Sequence, residues 1–109
     1  MQQHYLANEQ ISAFASSLVR AERTPATIEK YLRSVRAFFL YLDGRPVTKD
    51  AVVAWKEHLQ SVGGYSPSTV NASLASINDL FTFLGWPDCR AHYLKVQHRL
   101  FRAAGQELG

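Results

Sequence analysis

Apolar residues along this chain recur three and four positions apart, in four blocks separated by Pro and Gly. In the first, Ile11, Phe14, Ala15 and Leu18 fall on one helical face. The spacing predicts a helix over Glu9 to Glu22, with Asn8 as its N-cap. The second block opens at Thr24-Pro25, a capping hydroxyl followed by a Pro that suits the first helical turn. Ile28, Tyr31, Leu32, Val35, Phe39 and Leu42 form its stripe, and Asp43-Gly44 stops it. The third starts at Thr48, with Val47 and Val52 at the spacing of a hydrophobic staple. Its seam is Val52, Trp55, Leu59 and Val62, and Gly63-Gly64 ends it. The fourth repeats the design: Tyr65 and Val70 as staple, Ser66 as cap, Pro67 in the first turn. Val70, Leu74, Ile77, Phe81 and Leu84 form its stripe, and Gly85 stops it.

No β-alternation of useful length occurs, so the fold class is all-α. From Trp86 onward the periodicity fades, and Pro87 to Gly109 reads as a connecting tail. The end at GQELG has no closing cap, which predicts a piece of a longer protein. The 109 residues suit one domain, and 47% hydrophobic against 19% charged residues marks it as globular rather than disordered. Cys89 is the only cysteine, so no internal disulfide can form, as fits a reducing compartment. No apolar run approaches the ~20 residues of a membrane span, and the N-terminus lacks a signal pattern. The expected location is the cytoplasm.

Charge changes this picture through its placement. The net charge of +3 is a mild lean toward anionic partners. Opposite the apolar stripe of the second helix lie Ala26, Lys30, Arg33 and Ala37, with Arg36 at the flank. Glu29 can pair with Arg33 one turn on but does not neutralise the face. The fourth helix is different. Its opening stretch, SPSTVNASLASI, holds no charge, and its outside is expected to be Ser68, Ala72, Ala75 and Ser76. Asn71 and Asn78 flank that bare face, and Asn is a bidentate reader of adenine edges. Ser66, Ser68 and Thr69 crowd the N-terminus, where free N–H groups favour a phosphate.

Two readings compete. A basic and a small-polar helix straddling a DNA groove would combine phosphate contacts with salt-sensitive affinity. Small residues on a helix exterior also mark helix–helix packing, which gives a helical protein-interaction (dimerisation) module instead. The basic tail, Lys95, Arg99 and Arg102, moves the balance toward double-stranded DNA.

Thr24-Pro-Ala-Thr27-Ile28 with Tyr31, Val35 and Phe38 resembles the start of the core-binding domain of tyrosine recombinases, the phage-integrase family. Ser66-Pro-Ser-Thr69-Val70-Asn71 with Leu74, Ile77 and Phe81-Thr-Phe83-Leu84 resembles its second hairpin. The tail, with Asp88-Cys89-Arg90, the run Leu94 to Arg102 and Glu107-Leu108, is similar to the connector in integrases of conjugative transposons. The resemblance implies a SAM-like four-helix bundle of two crossed helical hairpins, with an extended C-terminal connector. Residues 1–87 would be the core-binding domain and 88–109 the connector toward a catalytic domain elsewhere in the parent. Carried over by position, the DNA-facing candidates are Thr27, Lys30, Arg33 and Arg36 on the second helix and Ser68, Thr69 and Asn71 on the fourth. Lys95, Arg99 and Arg102 would follow the duplex. Many members carry Arg or Lys just after the position of Asn71, where this chain has Ala72 and Ser73. The family works as a tetramer on two duplexes, and the isolated domain is expected to be a monomer.

Independent chemistry is not expected. No His-x-x-Arg occurs, and the recombinase Arg, His and Tyr set would lie beyond Gly109, so this chain should cleave no DNA. Cys89 and His92 suggest a nucleophile and base but lack a recognisable orienting carboxylate. The four histidines show no zinc-ligand spacing with cysteine, and no Gly-rich phosphate loop is present. No metal or cofactor is therefore expected. Phe14, Phe38, Phe39, Trp55 and Phe81 are assigned to the core, His58 to the surface, and Tyr41 and Phe83 partly outward.

Overall fold

The structure is a computed structural model and describes residues 3–95. Four helices follow in order: α1 (Asn8–Arg20), α2 (Pro25–Leu42), α3 (Lys49–Ser61) and α4 (Pro67–Leu84), then a short 3₁₀ turn, Pro87–Cys89. The described residues contain no β-strand, only one isolated antiparallel bridge between His4 and Val47. The fold is the expected all-α bundle.

The two long helices begin and end alike because their sequences do. Thr24 Oγ1 accepts the Thr27 N–H at 3.2 Å, and Ser66 Oγ accepts the Thr69 N–H at 3.3 Å. In both, the cap hydroxyl also donates to the Thr hydroxyl three residues on, at 2.9 and 3.1 Å. Each then ends on a left-handed residue, Asp43 at φ 48° and Gly85 at φ 76°. In α3, Thr48 Oγ1 accepts the Ala51 N–H at 3.0 Å. Such caps each contribute about 1 kcal/mol.

Three boundaries depart from expectation. Asn8 lies inside α1 rather than capping it. Ala7 takes the cap position, and the Gln10 Oε1 reaches back to accept the Ala7 N–H at 2.7 Å. The same helix stops at Arg20, with Glu22 turned to φ 61°. Helix α3 ends at Ser61, so Val62 leaves the seam and is 74% exposed. Gly63 makes the turn that follows. A Cβ there would lie 2.8 Å from both the Leu59 carbonyl oxygen and the Tyr65 ring, which only glycine avoids.

Helix α4 is the spine of the core and makes its most extensive interface with α2. Phe38 of α2 is fully buried, with edge-on contacts to Trp55 (5.1 Å) and Phe81 (6.2 Å). Burial of such a ring contributes about 1.5–3 kcal/mol, and each edge-on pair about 0.5–1.5 kcal/mol more. Phe14 packs against Tyr31 and the partly exposed Phe83, while Phe39 is half-buried. The N-terminal segment joins this core, as periodicity did not predict. Leu6 is buried, and the Val47 N–H donates to the His4 carbonyl at 2.7 Å.

Candidate nucleic-acid interface

The outward side of α4 is only partly bare. Ser68 is exposed and Ala72 and Ala75 are half-buried, but Ser76 is buried. What closes over this helix is its own chain. After the 3₁₀ turn the backbone runs back along α4 and is held by two asparagines. Asn78 donates from Nδ2 to the Ala91 carbonyl at 3.1 Å and accepts the Ala91 N–H at 3.2 Å. Asn71 does the same with Leu94, at 2.8 and 2.7 Å. The spacing follows from simple geometry. Seven helical residues rise about 10.5 Å, and three residues of extended chain span about 10 Å. Along one edge a side-chain amide presents an N–H beside a carbonyl oxygen, a pair that matches the N–H and C=O of one backbone residue. Lys56 Nζ adds a bond to the His92 carbonyl at 2.8 Å. Cys89 and Ala91, placed in the expected connector, belong to the core cluster.

A groove of about 330 Å³ lies between α2, α3 and the start of α4. Its basic wall is Lys30 and Arg33, and Thr69, Ala72 and Ser73 face them across a floor of Trp55 and Leu59. The two helices meet closely here, with Ser34 Oγ donating to Ser73 Oγ at 3.4 Å. Small side chains at Ala37, Ala72 and Ser73 therefore serve both the helix contact and the groove's openness. Arg33 approaches Glu29 at 3.9 Å, but both side chains are well exposed. Such a pair is worth about 0.2–1 kcal/mol and leaves the guanidinium free to exchange partners.

The remaining candidates divide. Thr27 and Ser68 stand in the first turns of α2 and α4, the Thr27 hydroxyl accepting from Thr24 within the cap. Asn71 is half-buried, and the N–H and carbonyl oxygen along one edge of its amide are engaged by Leu94. Arg36 faces a second, larger concavity with Val19, Ile28, Leu32 and Leu40. Lys95 is exposed at the end of the clamped segment, whereas Arg99 and Arg102 lie outside the described residues. Tyr65, which the sequence reading confined to a staple, is about half exposed on the groove wall.

Burial, with Asp88 beside it, pushes the Cys89 thiol up to about 11. A protonated, enclosed sulfur is a poor nucleophile. No described helix is long and apolar enough to cross a membrane.

Fold and site together define a small all-α domain in which Lys30 and Arg33 line a groove where two like-capped helices meet. The family model of the phage integrase N-terminal SAM-like domain matches residues 6–87, and the chain belongs to that family. The matched part is the N-terminal domain of phage integrases, not their catalytic domain. No curated protein and no solved structure matches this chain.

Proposed function

We propose that this chain is the DNA-binding module of a site-specific tyrosine recombinase, holding one side of double-stranded DNA during integration and recombination. The observation that carries this reading is the shared groove: Lys30 and Arg33 of α2 face Thr69 and Ala72 of α4. Lys30 and Arg33 supply charge to the phosphates, and the hydroxyl-rich first turns of α2 and α4 supply neutral donors. Thr27, Ser68 and Lys95 extend the contact at its margins. With Asn71 occupied, the module positions the duplex mainly through its backbone. Strand cleavage belongs to a separate catalytic domain of the parent recombinase, which acts as a tetramer in the cytoplasm, the module alone being monomeric.

Fluorescence anisotropy with a labelled duplex tests this. Binding is expected in the ~10⁻⁴–10⁻⁶ M range of non-specific contacts, falling steeply with salt. Replacing Lys30 and Arg33 by Ala flattens the salt slope by roughly one unit per lost phosphate contact. Equal affinity and slope in the double variant would remove this groove from the interface.

A second reading, a dimerisation module, is favoured by one observation. The concavity between α1 and α2, about 860 Å³, is lined by Val19, Ile28, Leu32 and Leu40, with Val19 62% and Leu40 74% exposed. Sedimentation of a DNA-free dimer that Leu40→Arg dissociates would establish it.

A further inference from the structure

The fold brings His4 against two neighbouring donors, Asp88 and Cys89, that lie far from it in sequence. His4 Nε2 is 3.4 Å from Asp88 Oδ2, and Cys89 Sγ is 3.8 Å from the same oxygen. All three ligand atoms lie within 4.8 Å of one another. From these positions we propose that His4, Asp88 and Cys89 form a Zn²⁺ site that staples the N-terminal segment to the turn after α4.

The donor set suits the ion, since zinc takes imidazole nitrogen, thiolate sulfur and carboxylate oxygen, commonly in a tetrahedron. With metal–ligand distances of about 2.1 Å for nitrogen and oxygen and 2.3 Å for sulfur, a tetrahedron separates nitrogen from oxygen by about 3.4 Å. It separates sulfur from oxygen by about 3.6 Å. Both separations from the Asp88 oxygen are already near these values, and the His4 and Cys89 donor atoms, within 4.8 Å of each other, would close to about 3.6 Å. Two of the donors, His4 and Cys89, are also held from behind. The His4 ring stacks on Trp86 at 4.4 Å and 12°, and its backbone is fixed by the bridge to Val47. Cys89 sits in the 3₁₀ turn with its thiol directed at the Val47 carbonyl, 3.7 Å away. The Asp88 side chain is 70% exposed, which leaves room on its side for a water as fourth ligand. Coordination releases the Cys89 proton to solvent and replaces an S–H contact by a sulfur–metal bond.

The site has a structural consequence. Residues 88–89 immediately precede the stretch held by Asn78 and Asn71, so the ion would fix the base of that stretch to the opposite end of the described chain.

Co²⁺ titration of the metal-stripped full chain tests the proposal. Expected are a thiolate-to-cobalt charge-transfer band and tetrahedral d–d bands, saturating at a single equivalent and abolished by Zn²⁺. His4→Gln should weaken Co²⁺ and Zn²⁺ binding at least tenfold with unchanged helical circular dichroism. His92→Gln should leave it unchanged. Absence of the charge-transfer band, or His4→Gln binding as tightly as the parent, overturns the site. Cys89→Ser should lose the charge-transfer band, and retention of that band also overturns it. The His4→Gln comparison decides alone where Cys89→Ser fails to fold.

Discussion

Asn71 and Asn78 stand two turns apart on α4, and each closes a reciprocal pair of hydrogen bonds with a single backbone residue, Leu94 and Ala91 respectively. The two pairs differ in enclosure. Asn78 and Ala91 are buried, while Asn71 and Leu94 are half-buried.

That difference sets their sensitivity. Asn78→Ala strands a buried N–H and carbonyl on Ala91, at about 1–3 kcal/mol for an unsatisfied group. Asn71→Ala is expected to cost less, about 0.5–1.5 kcal/mol, because water can reach the vacated groups. Urea unfolding of the two variants should rank them in this order. Equal losses would mean that the second pair is as well shielded as the first.

The helix ends allow a prediction of opposite signs. Asp43 is exposed and holds φ 48°, ψ 49°, where a side chain is strained. Asp43→Gly should stabilise the fold by about 0.5–1 kcal/mol. Gly63→Ala should destabilise it by about 1–3 kcal/mol, since the new Cβ meets the Leu59 carbonyl at 2.8 Å. Thermal melts of both variants check the pair.

The two arginines one turn apart on α2 should behave differently with DNA. Arg33 lines the groove shared with α4, and Arg36 lines only the concavity beside α1. Arg33→Ala is expected to reduce the salt slope by roughly one unit. Arg36→Ala should change it by clearly less. A slope equally reduced by both would extend the DNA footprint around α2.

Cys89 makes stability pH-dependent in the alkaline range. Its folded thiol is held up to about 11 by burial and by Asp88, whereas an unfolded thiol titrates near ~8.5. Between those values the folded chain keeps a proton that the unfolded chain has lost. The contribution is complete below the unfolded value and declines as pH rises through the window toward 11. In chelator, the parent should therefore lose stability relative to Cys89→Ser from about pH 8.5 upward. A constant difference between the two across that range would contradict it. The native thiol should also react with a disulfide reagent only slowly until the chain is denatured.

What the sequence showed well was local. Thr24, Thr48 and Ser66 declare their helices because a cap and its N–H partner lie within three residues, and all three bonds form. The stripe of α4 was legible for the same reason. Hidden were contacts made across the fold, such as Leu6 in the core or His4 beside Asp88, which no periodicity records. In the sequence the asparagines flank a chargeless face, and Asn suits adenine edges. Their spacing held a second meaning. Seven positions apart, they lie on one side of the helix, a pattern suited to gripping a returning segment of chain. The Lys30–Arg33 wall was visible in the helical wheel, but its meeting with Thr69 depended on how α2 and α4 pack.

The order of the two clamps also sets a direction. Ala91 is tethered near the later half of α4 and Leu94 one turn from its beginning, so the polypeptide travels antiparallel to the helix. The described segment thus finishes close to the beginning of α4, instead of at the far pole where α4 stops.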